Sequence, residues 1–128
     1  MASRVRILVV EDDEKSRRLL TDVLAFHGYE VAAAGSGEEG VRSASSAAPD
    51  AALLDIQLPG ISGFEVLAAL REPCCCGERL PVVAVTASVM DQDRKKILAA
   101  GFNAFISKPV NIRELLATLE SLLAKAAT

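Results

Sequence analysis

The sequence predicts an α/β domain in which helices cover both faces of a parallel sheet, the doubly wound arrangement. Short apolar runs alternate with longer amphipathic runs five times along the chain. Most of the short runs are hydrophobic at every position, as strands are when a parallel sheet is buried on both faces. Because the connections are short, right-handed crossovers are the arrangement that fits, and an open five-stranded (βα)5 sheet follows.

Five segments have the composition of strands. They span residues 5–10, 30–34, 51–54, 81–85 and 104–106. Arg6 interrupts the first segment, and the second, with three consecutive alanines, carries the weakest strand pattern. The pattern leaves the order of the strands in the sheet open.

The first and last helices are predicted from apolar residues at helical spacing. In the first helix these residues are Leu19, Leu20, Val23 and Leu24. In the last helix they are Ile112, Leu115, Leu116, Leu119, Leu122 and Leu123. Gly28 should end the first helix and Gly101 the fourth, because glycine readily adopts the left-handed conformation found at helix C-termini.

Capping residues mark the helix starts. A polar residue stands three positions before a glutamate in three pairs, which are Ser36 with Glu39, Ser62 with Glu65, and Asn111 with Glu114. The first residue of each pair can accept a hydrogen bond from the backbone N–H of the glutamate. Asp13 is predicted to cap the first helix in the same manner.

Length and composition indicate one globular domain. The chain has 128 residues and a mass of 13.5 kDa, with 51% hydrophobic and 24% charged residues. This composition excludes disorder, and the apolar runs are shorter than the ~20 residues that a membrane span requires. We assign residues 4–124 to the domain and residues 125–128 to a small, polar C-terminal tail.

Charge and cysteine usage restrict the partners and the compartment. The net charge is −3 and the basic residues are scattered, so we expect neither nucleic acid nor membrane as a partner. The N-terminus lacks the features of a signal peptide, which favours the cytoplasm. Cys74, Cys75 and Cys76 are adjacent and odd in number, which favours reduced thiols in a surface loop.

Polar residues stand where four of the predicted strands end. Glu11 and Asp12 follow the first strand, Asp55 the third, Thr86 the fourth, and Lys108 the fifth. Ligands of doubly wound sheets bind outside this edge. Three carboxylates against one ammonium leave two excess negative charges, which a divalent cation would balance. Because all the candidate ligands are hard oxygens, Mg²⁺ is the suitable ion, and Mn²⁺ could substitute.

A phosphoryl group is the natural guest of such a site. The metal ion and Lys108 would neutralise its oxygens, and Thr86 would donate a hydrogen bond. Asp55 would be the in-line nucleophile and would become an aspartyl phosphate. A carboxylate is already ionised at neutral pH, so no separate base is required.

Four segments, in this order, resemble the response-regulator receiver domains of two-component and phosphorelay signalling. They are residues 7–13 (ILVVEDD), 55–63 (DIQLPGISG), 85–87 (VTA) and 107–109 (SKP), and the likeness extends from about residue 4 to residue 122. The resemblance implies a flavodoxin-like fold with strand order 2-1-3-4-5. It also implies a domain that is not an enzyme in the turnover sense, catalysing at most its own phosphorylation and dephosphorylation. Such a domain would be a stand-alone regulator or part of a hybrid kinase.

The resemblance further assigns roles to individual residues. It implies Asp55 as the phosphoacceptor, Glu11 and Asp12 as the acidic pair, and Thr86 and Lys108 as residues that sense the phosphoryl group. The metal ion would be held by Asp12, Asp55 and the backbone carbonyl of Gln57, with Glu11 acting mostly through water. The bond before Pro109 would be a cis peptide.

The resemblance also implies partners and a switch. The phosphoryl group would come from a histidine kinase or a histidine phosphotransfer protein. Thr86 and Phe105 would transmit the change to a downstream protein through the surface of helix four, strand five and helix five. Phe105 stands where many members have Tyr, and Glu11 where many have Asp. Gln57 and Ser88 occupy the positions that tune phosphoryl lifetime in the family.

Three other functions agree less well with the residues. A phosphatase or mutase with an aspartyl nucleophile requires a second Asp two residues later, where this chain has Gln57. A flavodoxin-like cofactor binder requires a phosphate loop after the first strand, where Glu11 and Asp12 would repel phosphate. A receiver that signals without phosphorylation is expected to lack one of the acids, and here all are present.

Overall fold

A computed structural model describes residues 5–58, 60–72, 79–87 and 91–127, without the side chains of 91–93 and 126–127. Within these residues, five strands and five helices alternate. The strands are β1 (Arg6–Val10), β2 (Glu30–Ala34), β3 (Ala51–Asp55), β4 (Val82–Thr86) and β5 (Ala104–Ser107). All pairings are parallel, and the order in the sheet is β2-β1-β3-β4-β5, as the resemblance implied.

The helices follow the strands in strict alternation. They are α1 (Glu14–Phe26), α2 (Gly37–Ala47), α3 (Gly63–Leu70), α4 (Asp91–Ala100) and α5 (Ile112–Ala127). The predicted capping contacts are present: Asp13, Ser36, Ser62 and Asn111 each accept a hydrogen bond from the backbone three residues later. Gly28 and Gly101 have φ angles of 92° and 111° and follow α1 and α4, as predicted.

Two hydrophobic layers cover the sheet. Leu8, Val10 and Leu54 face one layer, which includes residues of α2, α3 and α4. Ile7 and Val9 face the other layer, which includes residues of α1 and α5. Successive side chains of a strand point to opposite faces, so fully apolar strands supply both layers at once.

Three strands extend one residue beyond the predicted bounds. Asp55, Thr86 and Ser107 are the last residues of β3, β4 and β5, because their backbones continue the ladder although their side chains are polar. β4 begins at Val82 rather than at Pro81, which has no N–H to donate but accepts a hydrogen bond from Ala52 at 2.9 Å. The strand residues that carry polar groups are therefore fixed by sheet hydrogen bonds.

Two helical expectations differ from the structure. Leu19, placed on the buried face of α1, is 56% exposed, while Leu20 and Leu24 are buried. α5 continues to Ala127, so most of the segment assigned to the tail is helical. Alanine and lysine, which dominate its end, are good helix formers. Among the described residues, no helix is long and apolar enough to cross a membrane.

Candidate functional site

The candidate site lies at the carboxyl edge of the central strands. Glu11 directly follows β1, Asp55 ends β3, Thr86 ends β4 and Lys108 directly follows β5. β1 lies between β2 and β3, so the chain leaves its carboxyl end toward one side of the sheet and later returns on the other. This change of direction opens the crevice in which ligands of such sheets bind.

Three carboxylates meet in this crevice. Glu11, Asp12 and Asp55 each offer an oxygen, and these oxygens lie within 4.8 Å of one another. Glu11 and Asp55 are only 2% and 3% exposed, whereas Asp12 is exposed. The site therefore has two buried acids at its base and one acid at its mouth.

Lys108 contacts both buried acids. Its Nζ lies 3.0 Å from Oδ2 of Asp55 and 3.2 Å from Oε2 of Glu11. The Lys108 side chain is 30% exposed, so the lysine also faces solvent. The bond between Lys108 and Pro109 is cis, and the backbone N–H of Lys108 donates to the carbonyl of Thr86 at 2.8 Å. Lys108 is thus connected to β4 by its backbone and to β1 and β3 by its side chain.

Local hydrogen bonds orient Asp55. Its Oδ1 accepts a hydrogen bond from the backbone N–H of Gln57 at 2.9 Å, and its Oδ2 accepts from Lys108. Gly63, at the start of α3, packs directly on the end of β3. A Cβ at Gly63 would lie 2.7 Å from the carbonyl oxygen of Asp55, so only glycine allows this approach.

Burial and the neighbouring charges alter the ionisation of the site. Burial, together with the hydrogen bond and charge of Asp55, raises the pKa of Glu11 from 4.5 to about 7, against the opposing effect of Lys108. Burial alone would lower the pKa of Lys108, but the hydrogen bonds and charges of Asp55 and Glu11 outweigh it and raise that pKa. The buried acids and the lysine form one electrostatic unit.

The donor set fits a hard divalent cation. Glu11, Asp12 and Asp55 offer only carboxylate oxygens, and Lys108 balances only one of their charges. Mg²⁺ favours oxygen ligands and retains several waters, which an exposed acid such as Asp12 permits. The arrangement can therefore hold a cation beside a buried carboxylate and an ammonium.

The two residues expected to form the switch lie on neighbouring strands. Thr86 is 2% exposed and pairs with Ser107 in the sheet. Phe105 is half-buried and pairs with Ala84, two residues before the site edge, and Arg94 of α4 lies 5.4 Å above its ring. The structure thus places Thr86 at the end of β4, the strand beside the one that Asp55 ends, and Phe105 next to Arg94 of α4. Ser88 lies outside the described residues.

Sequence reasoning missed two features of the site. It counted Lys108 as one charge among several, whereas the lysine bridges Glu11 and Asp55 directly. It also passed over Arg17, whose guanidinium donates to the backbone carbonyl of Glu11 at 3.0 Å. An arginine on an amphipathic helix is usually solvated, and the signal that could have suggested the contact is its position about one turn after the acidic residues 11–14.

The fold and this edge of the sheet define a class of doubly wound α/β domains with a carboxylate pocket and a lysine bound to two of its acids. Residues 7–120 match the family described as the response regulator receiver domain. The chain therefore belongs to the response-regulator receiver family, and its role lies in phosphorelay signalling.

Individual relatives agree with this assignment. The polar-differentiation response regulator DivK of Brucella ovis is 38% identical over 120 residues, which are 94% of this chain and 97% of DivK. A CheY-like receiver domain protein from Methanospirillum hungatei superimposes with a TM-score of 0.88 at 32% identity, covering 98% of both chains. CheY4 of Vibrio cholerae gives 0.87 at 28% identity, covering 94% of this chain and 99% of CheY4.

Proposed function

We propose that this domain accepts a phosphoryl group on Asp55 from the phosphohistidine of a histidine kinase or a histidine phosphotransfer protein. The observation that supports this most strongly is the buried Asp55 carboxylate, bonded to Lys108 at 3.0 Å and grouped with two further acids. A carboxylate held next to an ammonium and a cation-binding pair is poised for attack on phosphorus. The alternative, an aspartyl-nucleophile phosphatase, is disfavoured because Gln57 stands where that class requires its second Asp.

The transfer is a single displacement at phosphorus. A carboxylate oxygen of Asp55 forms the new P–O bond as the P–N bond to the donor histidine breaks. The electron pair of the broken bond stays on the imidazole nitrogen, which then takes up a proton. Lys108 pairs with a phosphoryl oxygen as negative charge is transferred, and the Thr86 hydroxyl donates to another. Hydrolysis of the acyl phosphate by water restores Asp55, so the domain catalyses at most its own phosphorylation and dephosphorylation.

Mg²⁺ would be held by Asp12, Asp55 and the backbone carbonyl of Gln57, with Glu11 acting through water. When bound, the ion supplies positive charge to the phosphoryl oxygens. Asp12 is the exposed member of the set and can exchange solvent for the ion. Glu11 is buried and already paired with Lys108, which favours its indirect role.

A cleft beside the acids offers the route by which a donor histidine would approach. Its volume is about 470 Å³, and its lining includes Glu11 and Lys108 together with apolar side chains of α1 and the segment after β5. Leu19, exposed on α1, lies on its wall. The apolar wall would pack against apolar residues of the partner protein, while the imidazole of its donor histidine would reach the charged groups.

Phosphoryl uptake tests the proposal. Incubation with acetyl phosphate and Mg²⁺ should raise the intact mass by one phosphoryl group, because the small donor bypasses the need for a partner. Complete chelation with EDTA should slow uptake by about two orders of magnitude, since the acids then repel the donor. Mn²⁺ should restore the reaction, whereas NaCl at equal ionic strength should not. Uptake that is unchanged after chelation would contradict the role of the metal ion.

The phosphoryl group is proposed to act on a distant surface through Thr86 and Phe105. Thr86 ends β4, and its carbonyl accepts a hydrogen bond from the backbone N–H of Lys108, which follows β5. Movement of either residue toward a phosphoryl group would therefore displace the ends of both strands. Phe105 lies on β5 next to α4. The surface formed by α4, β5 and α5 would then change its affinity for a downstream protein.

Thr86→Ala should separate phosphorylation from this response. Beryllofluoride mimics the phosphoryl group, and in the wild type we expect it to shift the NMR signals of Phe105 and of α4 and α5. In Thr86→Ala, binding at Asp55 should persist while the shifts at Phe105 fall by more than half. Thr86→Ser retains the hydroxyl and should behave like the wild type. Equal responses of all three proteins would exclude Thr86 as the coupling residue.

A further inference from the structure

Arg17 lies against the backbone of the acidic loop. It occupies the second turn of α1 and is half-buried. Its Nη1 lies 3.0 Å from the carbonyl oxygen of Glu11 and 3.5 Å from that of Asp12. The one nitrogen therefore reaches both peptide groups that precede and follow the Cα of Asp12, the acid at the mouth of the site.

The rest of the loop is fixed by other contacts. The backbone N–H of Glu11 donates to the carbonyl of Ala34 at 3.1 Å, and that of Asp13 donates to Oε1 of Glu11 at 3.3 Å. Asp13 itself caps α1 through Ser16. Among the described hydrogen bonds, Arg17 supplies those that bind the carbonyls of Glu11 and Asp12 to the protein.

The adjoining turn leaves room for this side chain. A Cβ built at Gly35 would lie 3.0 Å from Nη1 of Arg17 and 3.8 Å from Oε2 of Glu39. Glu39 in turn accepts the backbone N–H of Gly35 at 3.1 Å. The guanidinium is thus packed between the loop after β1 and the turn after β2, and the glycine keeps that space open.

We infer that Arg17 is a positioning residue for the divalent cation. It holds the backbone carbonyls of Glu11 and Asp12, the two residues whose side chains supply carboxylates to the site. This inference rests on the proposed metal-dependent function. The guanidinium does not touch the ion or the phosphoryl group. It restricts the backbone on either side of Asp12, so that less conformational freedom is lost when the carboxylate binds the ion.

The charge of Arg17 and its position in the structure predict opposite effects on the affinity for Mg²⁺. As a positive charge beside three acids, Arg17 repels a cation, so its removal should strengthen metal binding. As the residue that orders the loop, its removal should weaken metal binding. Outer-shell partners of metal ligands typically contribute 10- to 100-fold in affinity, which exceeds the effect of a partly screened charge. Arg17→Met should therefore weaken Mg²⁺ binding by about tenfold.

The experiment compares the dissociation constant of Mg²⁺ by calorimetry and amide NMR in the wild type and in variants. Arg18→Met is the matched control, because it removes the same charge from the neighbouring exposed position of α1. Arg17→Lys returns a charge and a donor and should recover part of the lost affinity. The free energy of unfolding, measured without metal, identifies any general destabilisation, which by itself leaves the dissociation constant of the folded protein unchanged.

Weaker binding in Arg17→Met with unchanged or tighter binding in Arg18→Met would support the inference. Unchanged or tighter binding in Arg17→Met would overturn it and leave the proposed function intact. If Arg17→Met does not fold, Arg17→Gln, whose amide can form one of the two hydrogen bonds, is decided by the same criteria. A wild type that does not bind Mg²⁺ would overturn the metal-dependent function and this inference together.

Discussion

Replacing Asp55 with Asn should abolish phosphoryl uptake. The amide oxygen of Asn is a far weaker nucleophile than a carboxylate, so the variant should show no gain of mass with acetyl phosphate and Mg²⁺. The fold should persist, because the amide oxygen can still accept the backbone N–H of Gln57. The variant should also bind Mg²⁺ more weakly, since it lacks one of the three acidic oxygens.

Asp50→Asn is the matched control for this experiment. Asp50 is exposed and directly precedes β3, at the opposite end of the strand from Asp55. The same chemical change there should leave phosphoryl uptake at the wild-type level. Uptake by Asp55→Asn at a rate comparable to that of Asp50→Asn would mean that another residue is the acceptor.

Replacing Glu11 with Gln should change how the free energy of unfolding depends on pH. Burial, together with the hydrogen bond and charge of Asp55, raises the pKa of Glu11 in the folded protein from 4.5 to about 7. An acid whose folded pKa exceeds its unfolded pKa contributes stability below the unfolded pKa and loses it as pH rises through the folded pKa. In metal-free buffer the wild type should therefore lose roughly 2–3 kcal/mol from this group between pH 4.5 and pH 7.

Glu11→Gln should lack this loss, because its amide does not titrate. Denaturant titrations in EDTA give the free energy of unfolding of both proteins. As pH rises to about 7, the variant should become more stable relative to the wild type, and above that pH the difference should remain constant. Glu14→Gln removes an exposed carboxylate from the start of α1 and should leave the wild-type decline in place. A difference between Glu11→Gln and the wild type that does not vary with pH would contradict the proposed ionisation of Glu11.

The sequence pattern was sufficient for the elements and the fold class because local and global signals agree, whereas the strand order came from the family resemblance. The strands are apolar at successive positions, as in the buried β4, and the helices begin at side chains such as Ser36 and Ser62 that accept backbone hydrogen bonds. The bounds that differed, as at Asp55, involve polar residues whose backbone remains in the sheet. Leu19 was misplaced because a helical pattern defines a broad apolar stripe, and the neighbouring helix determines how much of it is covered.

The composition of the site could be predicted, but its internal contacts could not. Strand ends bring Glu11, Asp55 and Lys108 to one edge, which follows from topology. The contact of Lys108 with both acids depends on side-chain conformations, which the spacing of residues in the sequence does not predict. The same holds for Arg17, which acts on the loop backbone rather than through a motif.

The most direct test of the central claim is to locate the phosphoryl group in the wild-type protein. After reaction with acetyl phosphate and Mg²⁺, borohydride reduces an aspartyl phosphate to homoserine, which peptide sequencing by mass spectrometry identifies. We predict homoserine at position 55 and at no other aspartate. Homoserine elsewhere, or a phosphoryl group that resists borohydride, would contradict the assignment of Asp55 as the phosphoacceptor.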